Sequence, residues 1–238
     1  NVAVGYEALE NNTTAGENTG VGYRSLKGNT TGCQNASFGT CSVYTNSTGD
    51  ANTGVGYKAL FANTTADNNT AVGYQSLFAN TTGANSVAVG CGALTDNTVG
   101  DQNTAVGGTA LGDNTEGEYN AAFGYNALRK NTTADNNTAL GYYALACNTT
   151  GTQNTAIGTD ALRANTTASN NVAVGDDSLV ANTTGTSNIA VGQGAMNSNT
   201  TGSCNISIGH RSMDLNSTGS RNTAVGKDAM RCNTANDN

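Results

Sequence analysis

The chain of 238 residues carries only 11% charged residues, contains neither proline nor tryptophan, and has a formal net charge of −7. Ordinary globular domains contain about 25% charged residues, whereas disordered chains combine high net charge with many Pro, Ser, Glu and Lys residues. The acidic balance, without a basic stripe to neutralise phosphates, argues against nucleic-acid binding. No apolar run approaches the roughly 18 residues of a membrane helix, so we expect no membrane insertion.

The sequence is a repeat of seventeen residues. Cutting after every seventeenth residue gives fourteen units without an insertion or a deletion, and the positions of a unit are numbered here from 1, at Asn1, to 17. Position 1 is Asn except at Ser86, and position 13 is always Thr or Ser. A helical repeat needs two helices and usually 30 or more residues, so this period favours one coil of a parallel β-solenoid.

Each unit begins with a predicted short strand at positions 2 to 4, as in Val2–Val4, Thr70–Val72 and Ile206–Ile208. A glycine at position 5 ends the strand, because the turn needs a positive φ or lacks room for a Cβ atom. These turn glycines occur in all fourteen units: Gly5, Gly22, Gly39, Gly56, Gly73, Gly90, Gly107, Gly124, Gly141, Gly158, Gly175, Gly192, Gly209 and Gly226.

Positions 8 to 10 predict a second short strand or a bend, anchored at position 9 by Leu9, Leu26, Leu60 and their equivalents. Positions 12 to 17 form the predicted return turn. Stacked at about 4.8 Å per coil, the units would make an all-β, parallel β-solenoid of fourteen 17-residue coils. We predict a single repeat array over residues 1–238. Because the chain opens at Asn1 without a Met and Asn238 completes a unit, it is interpreted as a segment of a longer fibre.

The segregation of charge separates an inside from an outside. Every charged residue falls at position 6, 7, 10, 11, 14, 16 or 17, and the only sizeable apolar side chains recur at positions 2, 4 and 9. We therefore expect the hydrophobic groups of each coil to point inward. So thin a core, with small uncharged residues on both faces of its strand, indicates that another chain covers it. The expected partner is a further copy of this chain, in a homo-oligomer or filament.

Positions 1 to 5 read N-x-[AGS]-[VILF]-G, as in NVAVG, NTAIG and NISIG. This pattern resembles the head repeats of trimeric autotransporter adhesins and related repeats of phage tail fibres. The adhesin repeat is shorter, and it has no counterpart of the Asn-Thr-Thr sequence found at positions 12 to 14 here. The resemblance implies a left-handed parallel β-roll, three chains side by side, and attachment to a surface. It also implies an extracellular, cell-surface or virion location.

Position 12 is Asn in every unit, which predicts a ladder of stacked amides that bond from coil to coil. The ladder comprises Asn12, Asn29, Asn46, Asn63, Asn80, Asn97, Asn114, Asn131, Asn148, Asn165, Asn182, Asn199, Asn216 and Asn233. Eleven of these residues also begin an N-glycosylation sequon: Asn12, Asn29, Asn46, Asn63, Asn80, Asn131, Asn148, Asn165, Asn182, Asn199 and Asn216. Further sequons begin at Asn11, Asn35, Asn68, Asn136 and Asn205. Structure rather than glycosylation is the favoured origin of the pattern, because position 13, which a sequon leaves free, never varies beyond Thr and Ser.

Tyrosine recurs at position 6, where a row of rings could contact surface glycans or simply stack on itself. The tyrosines are Tyr6, Tyr23, Tyr57, Tyr74, Tyr125 and Tyr142. Adjacent threonines such as Thr13 and Thr14 suggest ice binding as a further alternative. Neighbouring residues of a strand face opposite ways, however, so a flat T-x-T surface is missing there.

The sequence predicts neither catalysis nor a cofactor or metal site. The single histidine, His210, falls at a variable position where we expect it to be solvated, and no glycine-rich calcium nonapeptide is present. Only Cys33 and Cys41 are close enough along the chain for a disulfide within one coil, which leaves free thiols or interchain links for the other cysteines. We therefore expect a non-enzymatic structural segment of an extracellular fibre, with a carbohydrate-binding adhesin head and an ice-binding solenoid as the alternatives.

Overall fold

The computed structural model describes residues 1–233 and residue 236. It forms two compact units, unit 1 (Asn1–Tyr119) and unit 2 (Asn120–Asn238). Every regular element of the described residues is a three-residue β-strand. The strands of unit 1 are β1 (Val2–Val4), β2 (Thr19–Val21), β3 (Ala36–Phe38), β4 (Thr53–Val55), β5 (Thr70–Val72), β6 (Val87–Val89) and β7 (Thr104–Val106). Those of unit 2 are β8 (Ala121–Phe123), β9 (Thr138–Leu140), β10 (Thr155–Ile157), β11 (Val172–Val174), β12 (Ile189–Val191), β13 (Ile206–Ile208) and β14 (Thr223–Val225).

Within each unit the strands pair in parallel and in chain order. Their register follows the repeat, so that Val72 lies beside Val89 in unit 1 and Ala156 lies beside Ala173 in unit 2. Within each unit, a block of seventeen residues therefore closes one coil, and successive coils stack on each other. The predicted parallel β-solenoid is confirmed, and the prediction of one array over residues 1–238 stays a prediction.

The glycine at position 5 is required by both conformation and space. Gly73 has a φ of +136°, and a Cβ atom placed on it would lie 2.5 Å from the carbonyl oxygen of Gly90. Gly90 is the same position one coil later, so the two glycines lie directly against each other. An L-residue is strained at that φ and has no room there.

Positions 8 to 10 form a bend and not a second strand. The residues at positions 7 and 9 are left-handed, as in Gln75 (φ 52°) and Leu77 (φ 49°). Left-handed backbone costs an L-residue roughly 1–2 kcal/mol. Leu77 is nevertheless fully buried, and the tight bend is what brings its side chain into the centre of the coil, so apolar burial offsets the backbone cost.

The core differs from the predicted one at positions 2 and 4. From β2 to β14 the middle residue of each strand is buried while its two neighbours are at least partly exposed. Phe38 is 42% exposed and Leu140 is 48% exposed, whereas Ala71 is fully buried. Because side chains alternate across a strand, only one set can point inward. The interior already holds the position-9 leucine and two asparagines per coil, so it admits only the small residue at position 3.

Among residues 1–233 and 236 there is no helix of the length and apolarity needed to cross a membrane.

Candidate functional site

The position-12 asparagines form the predicted ladder in each unit. The Nδ2 atom of each one donates to the Oδ1 atom of its counterpart seventeen residues earlier, from Asn12 to Asn114 in unit 1 and from Asn131 to Asn216 in unit 2. These donor–acceptor distances run from 2.7 Å (Asn63 to Asn46) to 3.2 Å. Burying an amide costs free energy unless the amide is hydrogen-bonded, and here each side-chain amide is bonded to its counterpart in the neighbouring coil.

A second row of asparagines, at position 1, reinforces the first. The Oδ1 atom of Asn35 accepts a hydrogen bond from the backbone N–H of Asn52 at 2.9 Å. Its Nδ2 atom donates to the carbonyl oxygen of Gly49 at 2.8 Å, and the Nδ2 atom of Asn46 donates to the same oxygen at 2.8 Å. The carbonyl at position 15 thus receives two amide donors, which ties the two asparagine rows together inside each coil.

The hydroxyl groups at position 13 explain why that position holds only Thr or Ser. The Oγ1 atom of Thr30 donates to the backbone carbonyl of Ser47 at 2.8 Å, and the Oγ atom of Ser47 donates to the carbonyl of Thr64 at 2.9 Å. A residue without a hydroxyl group would lose this bond between coils. Position 14, by contrast, faces solvent and accommodates Val99, which is 46% exposed.

The candidate glycosylation sites of the ladder lie inside the fold. From Asn29 to Asn216 the position-12 side chains are fully buried, and the Nδ2 atom of Asn80, for example, bonds both Asn63 and Gly83. Both amide hydrogens are engaged, so a glycan on Nδ2 would require an open coil. Of the further sequons, Asn35 and Asn205 are also buried, while Asn11, Asn68 and Asn136 are exposed.

The outward face of the strands is an uncharged surface in each unit. It is built from positions 2 and 4 and is called here the outward face. Its residues are Val, Ile, Leu, Phe, Thr or Ala in every unit, without a single charge. Exposed examples are Ile189 at 38% and Ile208 at 40%. β-Branched and aromatic side chains suit a strand, but their exposure here needs a second reason, since continuous apolar patches mark interaction surfaces.

The tyrosines at position 6 stack in pairs. Ring centroids lie 5.5 Å apart for Tyr6 and Tyr23, 5.4 Å for Tyr57 and Tyr74, and 5.8 Å for Tyr125 and Tyr142, with interplanar angles of 10° to 18°. The rings of a pair cover each other's inner faces. Sugars stack on the faces of aromatic rings, so each pair offers a ligand only its two outer faces and its edges.

Sequence reasoning missed a second aromatic row, at position 10. Tyr44, Phe61 and Phe78 stack at 5.1 and 5.2 Å in three successive coils. The ammonium of Lys58 lies 5.2 Å from the Phe61 ring and 5.4 Å from the Tyr57 ring, within the range of a cation–π contact. The recurrence of aromatics at one repeat position, read as for position 6, would have found this row.

The first two coils carry a compact ion-pair cluster. The Lys27 ammonium lies 2.5 Å and the Arg24 guanidinium 2.7 Å from the same carboxylate oxygen of Glu7. The hydrogen bond from Lys27, followed by those from Tyr6 and Arg24, lowers the pKa of Glu7 to about 2. These residues sit at variable positions, so the cluster links two particular coils and is not part of the repeat.

Residues of the types that serve in catalysis or metal binding are scattered over the described part of the chain. All six cysteines are unpaired, including Cys33 and Cys41. His210, which the sequence predicts to be solvated, is half-buried, and its Nδ1 atom is inaccessible and has no hydrogen-bond partner. No group of three or more His, Cys, Asp or Glu residues with metal-binding geometry occurs among residues 1–233 and 236.

No protein-family model matches the chain, and no curated protein is significantly similar to it. The stacked 17-residue coils make it a β-solenoid repeat protein. Such a fold is compatible with a structural role, because each coil contacts only its neighbours and the array can be extended by repetition.

Proposed function

We propose that the chain is a non-catalytic structural segment of an extracellular fibre, and that copies of it associate along the outward face. The observation that carries the proposal is the exposure of positions 2 and 4, which are uncharged in every unit. A solvent-facing surface would be expected to acquire charges over fourteen repeats, as positions 7 and 10 have done.

The size of the outward face fits such an association. A stable protein interface uses about 20–30 residues on each side, and positions 2 and 4 supply 14 residues in each compact unit, or 28 over the whole sequence. Apart from Phe38, Phe123 and Leu140, the side chains are stiff at χ1 or small, so they lose little rotamer freedom when they are covered. The resemblance of the N-x-A-V-G pattern to adhesin-head and tail-fibre repeats adds the expectation of three chains and of a surface or virion location.

The proposal is tested by placing charge on the outward face. Val72→Lys combined with Val89→Lys puts two ammonium groups on adjacent strands of this face. The matched control, Thr82→Lys with Val99→Lys, adds the same charge at position 14, which is exposed and carries Glu116 in another coil. We expect light scattering to report an oligomer or filament for the native chain and for the control, and a monomer for the variant of the outward face.

A native chain that is monomeric at high concentration, or an outward-face variant with the mass of the native oligomer, would contradict the proposal. Electron micrographs of the native particle report the number of chains side by side and show whether the particle is longer than a single chain. Circular dichroism checks that each variant retains the native β-structure.

Ice binding is the second candidate, on a different surface from the one that Thr13 and Thr14 suggested. The outward face carries Thr at position 2 in seven units, for example Thr53 and Thr70, and an aliphatic or Phe residue at position 4. Regular rows of Thr and Val repeated at about 4.8 Å present methyl groups in a fixed array. Thermal hysteresis of a monomeric preparation would favour this function, and its absence would remove it.

A further inference from the structure

A notch interrupts the row of position-7 side chains in unit 2. Along this row Asp177, Gly194 and Arg211 follow one another in successive coils. Because Gly194 has no side chain, a cavity of about 280 Å³ opens between the other two. Asn197, Asp214 and Arg231, which belong to the neighbouring row at position 10, line the same cavity. The notch is therefore a defined, polar concavity on the surface of unit 2.

The two walls of the notch carry opposite charges that are not paired with each other. Among the described residues, neither the Asp177 carboxylate nor the Arg211 guanidinium has an ion-pair partner. Two other acids nearby are paired, Asp214 with Arg231 at 3.4 Å and Asp160 with Arg163 at 3.6 Å. Within the described part of the chain, Asp176 and Asp228 add two further carboxylates without an ion-pair partner. An unpaired acid and an unpaired base thus face one cavity.

The pKa of the Asp177 carboxyl also favours a cation in the notch. Burial, followed by the nearby carboxylates of Asp176 and Asp160, raises the pKa of the Asp177 carboxyl, while Arg163 lowers it less. A half-buried carboxylate among like charges gains free energy from a cation placed beside it. The notch is where such a cation can approach.

The spacing of the coils limits the size of the ligand. Equivalent backbone positions two coils apart are separated by about 9.6 Å at about 4.8 Å per coil. With the charged groups as far apart as the backbones that carry them, two charge-assisted hydrogen bonds of about 2.8 Å each leave about 4 Å between the charged atoms of a bridging molecule. The Arg211 stem, whose Cγ atom lies 3.5 Å from a Cβ atom built on Gly194, favours a molecule no longer than this. In an α-amino acid the ammonium nitrogen and the farther carboxylate oxygen lie about 3.6 Å apart by standard bond lengths.

We propose that the Gly194 notch binds a small zwitterion of the α-amino acid class, with its ammonium group at Asp177 and its carboxylate at Arg211. The amide of Asn197 lies in the same cavity and offers a further donor and acceptor to the ligand. The side chain of the amino acid points to solvent, so the notch selects the class of ligand and discriminates little among its members. This inference is independent of the proposed structural function.

The chain contains a natural control for this site. Gly92 is also a position-7 glycine with a left-handed backbone (φ +66°, against +62° for Gly194). Its neighbours along the row are Gln75 and Thr109, which are uncharged. The Gly92 notch shares the backbone of the Gly194 notch and lacks its opposed charges, so it should not bind the ligand.

The test is a titration of the full chain with glycine at constant ionic strength, followed by the backbone amide resonances of Gly194 and Gly92. We expect saturable shifts at Gly194 and Asn197 and none at Gly92. Acetate and methylammonium, which each carry one of the two charges, should bind at least tenfold more weakly than glycine. This comparison uses the native protein and needs no variant.

Substitutions then assign the contacts. Arg211→Gln and Asp177→Asn should each weaken glycine binding at least tenfold. Gly194→Gln should abolish it by filling the notch, since Gln75 shows that glutamine adopts this backbone at position 7 (φ 52°). Gly92→Gln is the matched control and should leave binding unchanged. Equal shifts at both glycines, binding of acetate as tight as that of glycine, or unchanged affinity in Arg211→Gln would overturn the proposal.

Discussion

The Nδ2 atom of Asn46 lies 2.8 Å from the Oδ1 atom of Asn29, its counterpart one coil earlier. The other hydrogen of the same Nδ2 atom is donated to the carbonyl oxygen of Gly49, also at 2.8 Å. Both residues are fully buried asparagines. The interior of the solenoid is thus held by amide hydrogen bonds as well as by apolar contacts, and the stability predictions below follow from these bonds.

Removal of one ladder amide should be strongly destabilising. Asn80 bonds Asn63, Gly83 and Asn97, so Asn80→Ala leaves buried donors and acceptors without partners, at a cost of about 1–3 kcal/mol for each unsatisfied group. We expect the urea midpoint to fall by an amount corresponding to at least about 2 kcal/mol. The control is Asn11→Ala, an exposed asparagine outside the ladder, and an equal effect of the two changes would contradict the ladder's role.

Restoring the one missing asparagine at position 1 should stabilise the chain. Ser86 is too short to reach the carbonyl of Gly100, which accepts a bond from Asn97 at 3.0 Å, whereas the equivalent carbonyl of Gly83 accepts from both Asn69 and Asn80. Ser86→Asn adds the second donor and should raise the free energy of unfolding by about 1 kcal/mol.

Thermal unfolding checks this prediction as an increase in Tm. Ser86→Ala is the opposite control, because it removes the 3.1 Å bond that the Ser86 hydroxyl accepts from the backbone of Asn103. A lower Tm for Ser86→Asn than for the native chain would show that this coil has adapted to serine.

Substitution of a position-5 glycine should be among the most damaging changes. In Gly73→Ala the new methyl group would overlap the Gly90 carbonyl at 2.5 Å on a backbone with φ +136°. Strain and overlap together should cost more than about 3 kcal/mol. Gly16→Ala is the matched control, since nothing lies within 4 Å of a Cβ atom at Gly16. Denaturant unfolding should separate the two variants clearly, and similar midpoints would refute the close approach.

The ion-pair cluster predicts a pH dependence confined to acid. The folded pKa of Glu7 is lowered to about 2 from its ordinary value of 4.5, chiefly by the hydrogen bond from Lys27. A lowered folded pKa stabilises the fold above the unfolded pKa, and this stabilisation is lost as the pH falls from about 4.5 to about 2. NMR titration of the Glu7 side chain should show the low midpoint, and Lys27→Met should move it upward. Lys58→Met, which removes a distant cation, should leave it in place; a shift there as large as in Lys27→Met would be inconsistent with the assigned contact.

Glycosylation should avoid the ladder. The exposed sequon asparagines are Asn11, Asn68 and Asn136, whereas the buried position-12 side chains from Asn29 onward have no free amide hydrogen to give. In a secretory host, we expect peptide mapping of folded protein to find glycans at exposed sequons alone. A glycan at Asn80 in soluble, folded protein would contradict the buried ladder.

The sequence predicted the coil, the glycine turn and the ladder because each depends on residues that recur at one position. Gly73 and Asn80 could be assigned in this way. The sequence could not predict which side of the strand points inward, since Val72 is larger than Ala71 and hydrophobicity alone favours Val72 as the core residue. The inward choice is decided by the room left beside Leu77 and the buried asparagines, which is a property of the closed coil.

The charged notch was missed for a related reason. Variable positions of a repeat are expected at the surface, and position 7, which holds Gly194 and Arg211, is variable. Their relationship appears only when position 7 is followed from coil to coil, where a missing side chain separates Asp177 from Arg211.

The bonds between coils repeat every seventeen residues, so that Asn29 is joined to Asn46 as Asn46 is joined to Asn63. Loss or duplication of seventeen residues inside a unit would therefore leave each remaining group facing a partner of the same chemical kind. Unequal recombination between repeats in the gene could then remove or add single coils, and the number of coils becomes a trait that evolution can adjust without redesigning the fold.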